Sequence, residues 1–153
     1  MAEYSASAQT INPGEAVVFN TVTPCNRGLI RHREGTGSFL LSGWLPNFMS
    51  GCRCNKRNAE YSFDFGANIA IPTGGTVGEI SVAFVVDGAT VPYSTMKVTP
   101  AAVEEFFNVS RAMGIPIWRG CCETVTVINT SDQPISLDNG TLKINRSDLQ
   151  VTY

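Results

Sequence analysis

Residues 61–71 alternate strictly. Tyr61, Phe63, Phe65, Ala67, Ile69 and Ile71 hold one parity, and Ser62, Asp64, Gly66, Asn68 and Ala70 hold the other. A period of two predicts a strand with one buried face. Pro72-Thr73-Gly74-Gly75 breaks it, because proline has no N–H for a ladder and glycine accepts the positive φ of a turn. Across residues 80–86 both parities are apolar, with Ile80, Val82, Phe84 and Val86 set against Ala83 and Val85. Such a strand is covered on both faces, and in a chain this short the expectation is that a partner subunit covers the second. Asp87-Gly88 then closes it with a hairpin signal.

The flanking segments read as additions to this pair. Residues 1–10 are small and polar, which predicts an N-terminal arm ahead of a single domain over 11–153. Residues 15–20 (EAVVFN) read as a strand. Residues 28–33 and 37–43 read as a hairpin about Glu34-Gly35-Thr36. Residues 44–58 show no period and carry Pro, Gly, two cysteines and basic residues, so they read as a loop. Residues 89–98 form a weaker strand whose Pro92 favours an edge. Thr99-Pro100 suits the start of one helical turn over AAVEEF. Residues 108–118 alternate poorly around Val109, Ile115 and Ile117. Residues 122–129 are a clear strand, and 135–137 with 141–145 read as a last hairpin turning at Asn139-Gly140. Eight to ten short strands at this spacing predict an all-β sandwich or barrel.

Composition agrees. The 153 residues carry a formal net charge of −2, which argues against nucleic acid or an anionic membrane as the main partner. Phe, Val, Ile, Thr, Gly, Asn and Ser dominate, as in β proteins. MAEYSASAQT has neither a basic n-region nor an apolar h-region, and no apolar run is long enough to span a bilayer. The expectation is cytoplasmic synthesis, with any extracellular life following release inside a larger particle.

Candidate chemistry is sparse. His32 lies between Arg31 and Arg33, without the nucleophile and orienting carboxylate that a catalytic base needs. Ser94-Thr95-Met96-Lys97 matches a Ser-x-x-Lys pattern, yet it lacks the helix start and companion motifs of acyl-enzymes. Cys52, Cys54, Cys121 and Cys122 match the stoichiometry of zinc but not its usual knuckle spacing. With Cys25 they make five cysteines. Buried free thiols are the default reading, ahead of a disulfide or a metal. Four Asn-x-Ser/Thr sequons, at Asn108, Asn129, Asn139 and Asn145, signify polar loops in the absence of a secretory signal. Trp44, Phe48, Arg31, His32 and Arg33 are the candidates for ligand or partner contact, Trp118 being a further aromatic of the same kind. No catalytic residue and no cofactor is expected.

The segments FGANIAIPTGGTVGEISVAFVVDG, MKVTPAAVEEFFNVS, RGCCETVTVINTS and GTLKINR, in that order, resemble a family of small jelly-roll proteins. These are common in phages and prophages of Gram-positive bacteria and are similar to the tumour-necrosis-factor and complement-globular-head superfamily. The resemblance covers roughly residues 10–146. It implies a ten-stranded jelly roll that forms a homotrimer and is not an enzyme. It also implies a virion part, either a capsid decoration or a head-fibre protein; the alternatives are a receptor- or carbohydrate-binding module at the host surface, or the terminal module of a bacterial surface protein. Partners would then be the chain itself, a capsid or other virion protein, and a host surface glycan or protein. Phe63, Phe65, Ile69, Ile80, Val82, Phe84, Val86, Phe106 and Phe107 would line the core and the threefold interface. Collagen repeats are absent, which favours the phage branch.

Overall fold

The computed structural model describes residues 2–22, 29–45 and 57–147. In chain order the described strands are β1 (Ala2–Ala6), β2 (Gln9–Ile11), β3 (Thr21–Val22), β4 (Ile30–His32), β5 (Phe39–Ser42) and β6 (Asn58–Ala70). They continue as β7 (Ile80–Val86), β8 (Ala89–Thr90), β9 (Met96–Val98), β10 (Phe107–Trp118), β11 (Cys122–Asn129) and β12 (Ile135–Arg146). Two antiparallel sheets result. Sheet A has the order β10-β6-β12-β1-β3, with β2 also pairing β12; sheet B has the order β4-β5-β11-β7-β8, with β9 also pairing β7. This two-sheet wrapping is that of a jelly roll.

The core lies between the sheets. Sheet A sends in Tyr4, Phe63, Phe65, Ile69, Leu142 and Ile144, and sheet B sends in Phe39, Leu41, Val82, Phe84, Val125 and Val127. The Phe84 ring meets Phe63 and Phe65 across the gap, at centroid distances of 5.9 and 6.2 Å. The turns follow the local chemistry. Gly75 N–H donates to the Pro72 carbonyl at 2.9 Å, with Gly74 at φ 89°. Asp87 and Gly88 both take positive φ (48° and 82°), the geometry of a two-residue hairpin turn.

The central pair folds as expected, but a partner is not needed to cover it. Ser81, Ala83 and Val85, the outward side chains of β7, are already buried within one protomer. They are small or flanked in register, Val85 by Thr126, Ala83 by Ile128 and Ser81 by Lys97. One copy hides both faces.

Other expectations are corrected too. The supposed arm is β1 and β2: Ala2, Tyr4 and Ala6 point inward between exposed Glu3 and Ser5, and two alanines carry little hydrophobic signal. Residues 15–20 make no strand beyond the bridges Ala16 to Ile128 and Phe19 to Thr36. The Gln9 side chain replaces a ladder there, since its amide donates to the Val18 carbonyl and accepts the Val18 N–H, both at 2.9 Å. Over residues 101–105 a turn stands in place of a helix. The Glu105 carboxylate takes the Ala101 and Ala102 N–H groups, and Glu104 sits at φ 59°. Residues 108–118 belong to one long strand, β10. Residues 135–145 belong to one strand as well, β12, with a bulge between Asp138 and Thr141 in place of a hairpin. Asn139 at φ 51° makes the bulge. A Cβ at Gly140 would lie 3.0 Å from both the Ala6 Cβ and the Leu137 Cδ2, so glycine is what lets β1 come close.

Candidate functional site

The nine residues expected at the core and interface divide. Phe63, Phe65, Ile69, Ile80, Val82 and Phe84 are enclosed in the protomer, and Val86 packs partly buried against them. Phe106 and Phe107 are 44% and 39% exposed where β10 begins. Val77 and Val103 are exposed on the loops beside them. Those loops are joined: Glu104 N–H donates to the Ile71 carbonyl at 2.8 Å, and Thr73 donates from backbone and hydroxyl to the Glu104 carboxylate. An exposed aromatic step on an ordered loop pair is a surface that asks for a partner.

From that step β10 runs along the edge of sheet A. Two of the three cross-strand rows on the outer face of the sheet carry only short side chains, and the row between them is charged. One cross-strand row reads Ser110, Gly66, Thr141, Ser5; the next reads Ala112, Asp64, Lys143, Glu3; a third reads Gly114, Ser62, Asn145.

The other candidates lie elsewhere. His32 points into sheet B, with its two ring nitrogens 3.0 and 3.1 Å from the Ser38 and Phe19 carbonyls. Its ring stacks on Phe39 at 4.3 Å and meets Tyr4 edge-on at 5.1 Å, so it packs and pins instead of facing a substrate. Arg31 and Arg33 flank it, exposed. Trp44 and Trp118 are 55% and 60% exposed near the far end of β10. Gly43, next to Trp44, donates to the Cys121 carbonyl and accepts from Gly120, which docks this end of β5 on the turn after Trp118. Phe48, Cys52 and Cys54 lie outside the described residues, and so does Cys25. Cys121 and Cys122 are exposed free thiols, not buried ones.

A cleft of about 550 Å³ opens along the free edge of β10, a size within the ~300–1,000 Å³ of ligand sites. Tyr93 and Arg111 stand at its rim, Phe65 and Met113 line it, and Asp64 lies beyond the small Ala112 and Gly114. Arg111 shares the parity of Val109, Met113, Ile115 and Ile117, yet it is exposed and donates from Nη2 to the Tyr93 carbonyl. Tyr93 itself is 62% exposed, on a 3-10 turn (Pro92–Ser94). The turn is held firmly. Ser94, fully buried, accepts the Phe84 N–H at 2.9 Å and donates to the Val91 carbonyl at 2.6 Å, and Thr95 Oγ1 donates to Pro92. Ser94 therefore has a structural task, and Lys97 pairs with Glu79 at 3.6 Å on the surface. Sequence reading passed over Asp64, Tyr93 and Arg111. A charge at an apolar parity, in VSRAMGI, was the available signal.

No family model and no curated protein matches this chain. Solved structures do. The globular domain of a zebrafish complement 1qA protein aligns with a TM-score of 0.60 at 11% identity, over 96% of this chain and 98% of that one. The Eiger tumour necrosis factor from S. frugiperda aligns with a TM-score of 0.65 at 9% identity, over 100% and 96%. The fold is thus a jelly roll like those of tumour necrosis factor and the complement globular head. At such identities the likeness concerns the fold alone.

Proposed function

We propose that this chain is a homotrimeric structural protein of a phage virion, a capsid decoration or head-fibre protein. The carrying observation is the exposed Phe106-Phe107 step at the start of β10, next to the row of short side chains Ser110, Gly66, Thr141 and Ser5 on the outer face of sheet A. Small side chains let a second backbone approach closely, and exposed aromatics supply the apolar gain. Threefold closure of such contacts uses the same surface in every copy, with roughly 2,000 Å² or more buried in a stable assembly. The virion role rests on the sequence motifs above; fold similarity is neutral about it.

Residues 2–6 and 9–11, expected to be a tether, are built into sheet A. The 12 residues of β10 separate the Phe107 end from the Trp118 end by about 40 Å. The reading assigns the first end to self-contact. The second, with exposed Trp44 and Trp118, faces the capsid or another virion protein. The action is mechanical and adhesive, without turnover.

Light scattering on the purified chain is expected to give three times the protomer mass. A Phe106→Ser/Phe107→Ser variant is expected to give a smaller mass with its far-ultraviolet spectrum unchanged, because neither side chain belongs to the protomer core. A monomeric wild type ends the trimer reading. Absence of the chain from virions probed with specific antibody ends the decoration reading.

A further inference from the structure

We infer that the open edge of β10 over residues 110–114 receives an extended, acidic segment of another protein as an added strand, with a carboxylate of that segment on Arg111. The ladder determines which backbone groups are free for it. Arg119 N–H donates to the Arg57 carbonyl at 2.7 Å, continuing the β10–β6 register by one pair. Bonded and non-bonded pairs alternate along an antiparallel ladder, so the odd residues of β10 bond to β6. Asn108, Ser110, Ala112 and Gly114 turn their N–H and C=O groups the other way. β12 agrees from the opposite flank: Ser147 N–H donates to the Glu60 carbonyl at 2.9 Å, which leaves the odd residues of β6 for β10. Among the described residues no hydrogen bond reaches the free groups of Ser110, Ala112 or Gly114, and the cleft lies along these same residues. Pro116 belongs to the even set as well, so it costs β6 no bond and ends the template at one side.

Side chains select the occupant. A strand laid antiparallel on this edge bonds to Ser110, Ala112 and Gly114 and sets alternate residues opposite Arg111 and Met113, on the inward side of the sheet. Arg111 is exposed there and makes no ion pair among the described residues. One N–H of its guanidinium is used on the Tyr93 carbonyl, and the rest of the fork is open to a carboxylate. Asp64 does not compete, because it lies on the outer face of sheet A in the row with Lys143. Phe65, Tyr93 and Met113 in the cleft favour apolar residues on either side of the acid. On the outer side Ala112 and Gly114 leave room for large side chains, as when an aromatic covers a strand glycine. A second copy of β10 fits poorly: over residues 107–115 the antiparallel register of greatest overlap sets Arg111 against Arg111.

A competing account is that Arg111 only blunts the edge by placing a charge at an inward position. The full chain is titrated by fluorescence anisotropy with the labelled peptide Thr-Val-Tyr-Glu-Thr-Val, capped at both ends. Saturable binding is expected, with at least a tenfold loss when the Glu of the peptide is replaced by Lys. N-methylation of its Tyr and second Thr, whose N–H groups face β10, is expected to abolish binding, and N-methylation of its first Val and its Glu to retain it. Arg111→Glu, at an exposed position, is expected to reverse the preference and take the Lys peptide over the Glu peptide. Silence of the wild type toward the Glu peptide overturns the inference and leaves the edge-blunting role. Equal binding of the two N-methylated peptides overturns it too, since contact would then not run through the ladder. An unreversed preference in Arg111→Glu removes the charge on which the choice of partner rests. Subunit mass, measured on the same samples, reports on the trimer separately, so failure of one reading is distinguishable from failure of the other.

Discussion

The strands β7 and β10 are both long, and each has one flank facing away from the body of its sheet, but the two flanks are treated differently. Along β7 that flank is sealed by three short pieces, β8, the Pro92–Ser94 turn and β9. Where the pieces fail to continue the ladder, a side chain does so: Phe84 N–H donates to Ser94 Oγ, and its carbonyl accepts from Val91. Along β10 no further strand of sheet A follows among the described residues. Pro116 has no N–H to offer there, and Arg111 reaches across to the other sheet. Fragments suffice to close an edge when one buried hydroxyl fills the gap. The edge left open is the one bearing the cleft and the exposed phenylalanines, where unpaired backbone is a liability unless something uses it.

If the sealed side is the better packed, core truncations must show it. Phe84 is fully buried and touches both Phe63 and Phe65, whereas Met113 on β10 is 9% exposed. Phe84→Ala is expected to cost about 3–5 kcal/mol, and Met113→Ala about 2 kcal/mol, at the low end for a methionine. Urea unfolding of both variants checks this. Equal losses would erase the distinction between the edges.

The next effect concerns the plug itself. Ser94→Ala leaves the Phe84 N–H buried without an acceptor, at a cost of about 1–3 kcal/mol. Hydrogen exchange should locate the damage, with faster exchange at the Phe84 amide and at Thr95. If the Phe84 amide keeps its protection, Ser94 does not seal the edge.

These contrasts also explain what was legible in the sequence. β6 and β11 were readable because apolar and polar residues alternate along them, β7 because it is almost wholly apolar, and the turns on either side of β7 have Pro-Thr-Gly-Gly and Asp-Gly chemistry. β1 was not, because alanine buries without announcing itself. β10 was blurred by the features that serve its open edge: Arg111 at an inward position, Pro116, and Phe107 left in water. The dipeptide Asn139-Gly140 reads the same in a hairpin turn and in a bulge, and only the pairing of both halves of β12 with β6 decides between them. The cleft is assembled from three non-adjacent segments, so no local pattern marks it. The expectation that a partner subunit covers β7 failed for a related reason. Periodicity tells which residues are hidden, but not whether the covering atoms belong to the same copy.

The smallest effect lies at the turn that begins the sealing run. Asp87 accepts the Thr124 N–H at 2.7 Å, and Glu123 stands next to that donor on β11. Burial, and then the negative charge of Asp87, push the Glu123 carboxyl above its ordinary value of 4.5. A carboxyl raised in the folded state binds its proton more tightly there than in the unfolded chain. Its ionised form therefore opposes folding at neutral pH. Stability from this group grows as pH falls through the folded pKa and is complete below 4.5. Glu123→Gln removes the opposition without altering the shape, so it is expected to raise the melting temperature slightly at pH 7. The variant and wild type should converge below pH 4.5, where both side chains are neutral. Melting curves at the two pH values decide it. A gain that persists in acid would show that the amide helps by packing, and would remove electrostatic tension from the account of this turn.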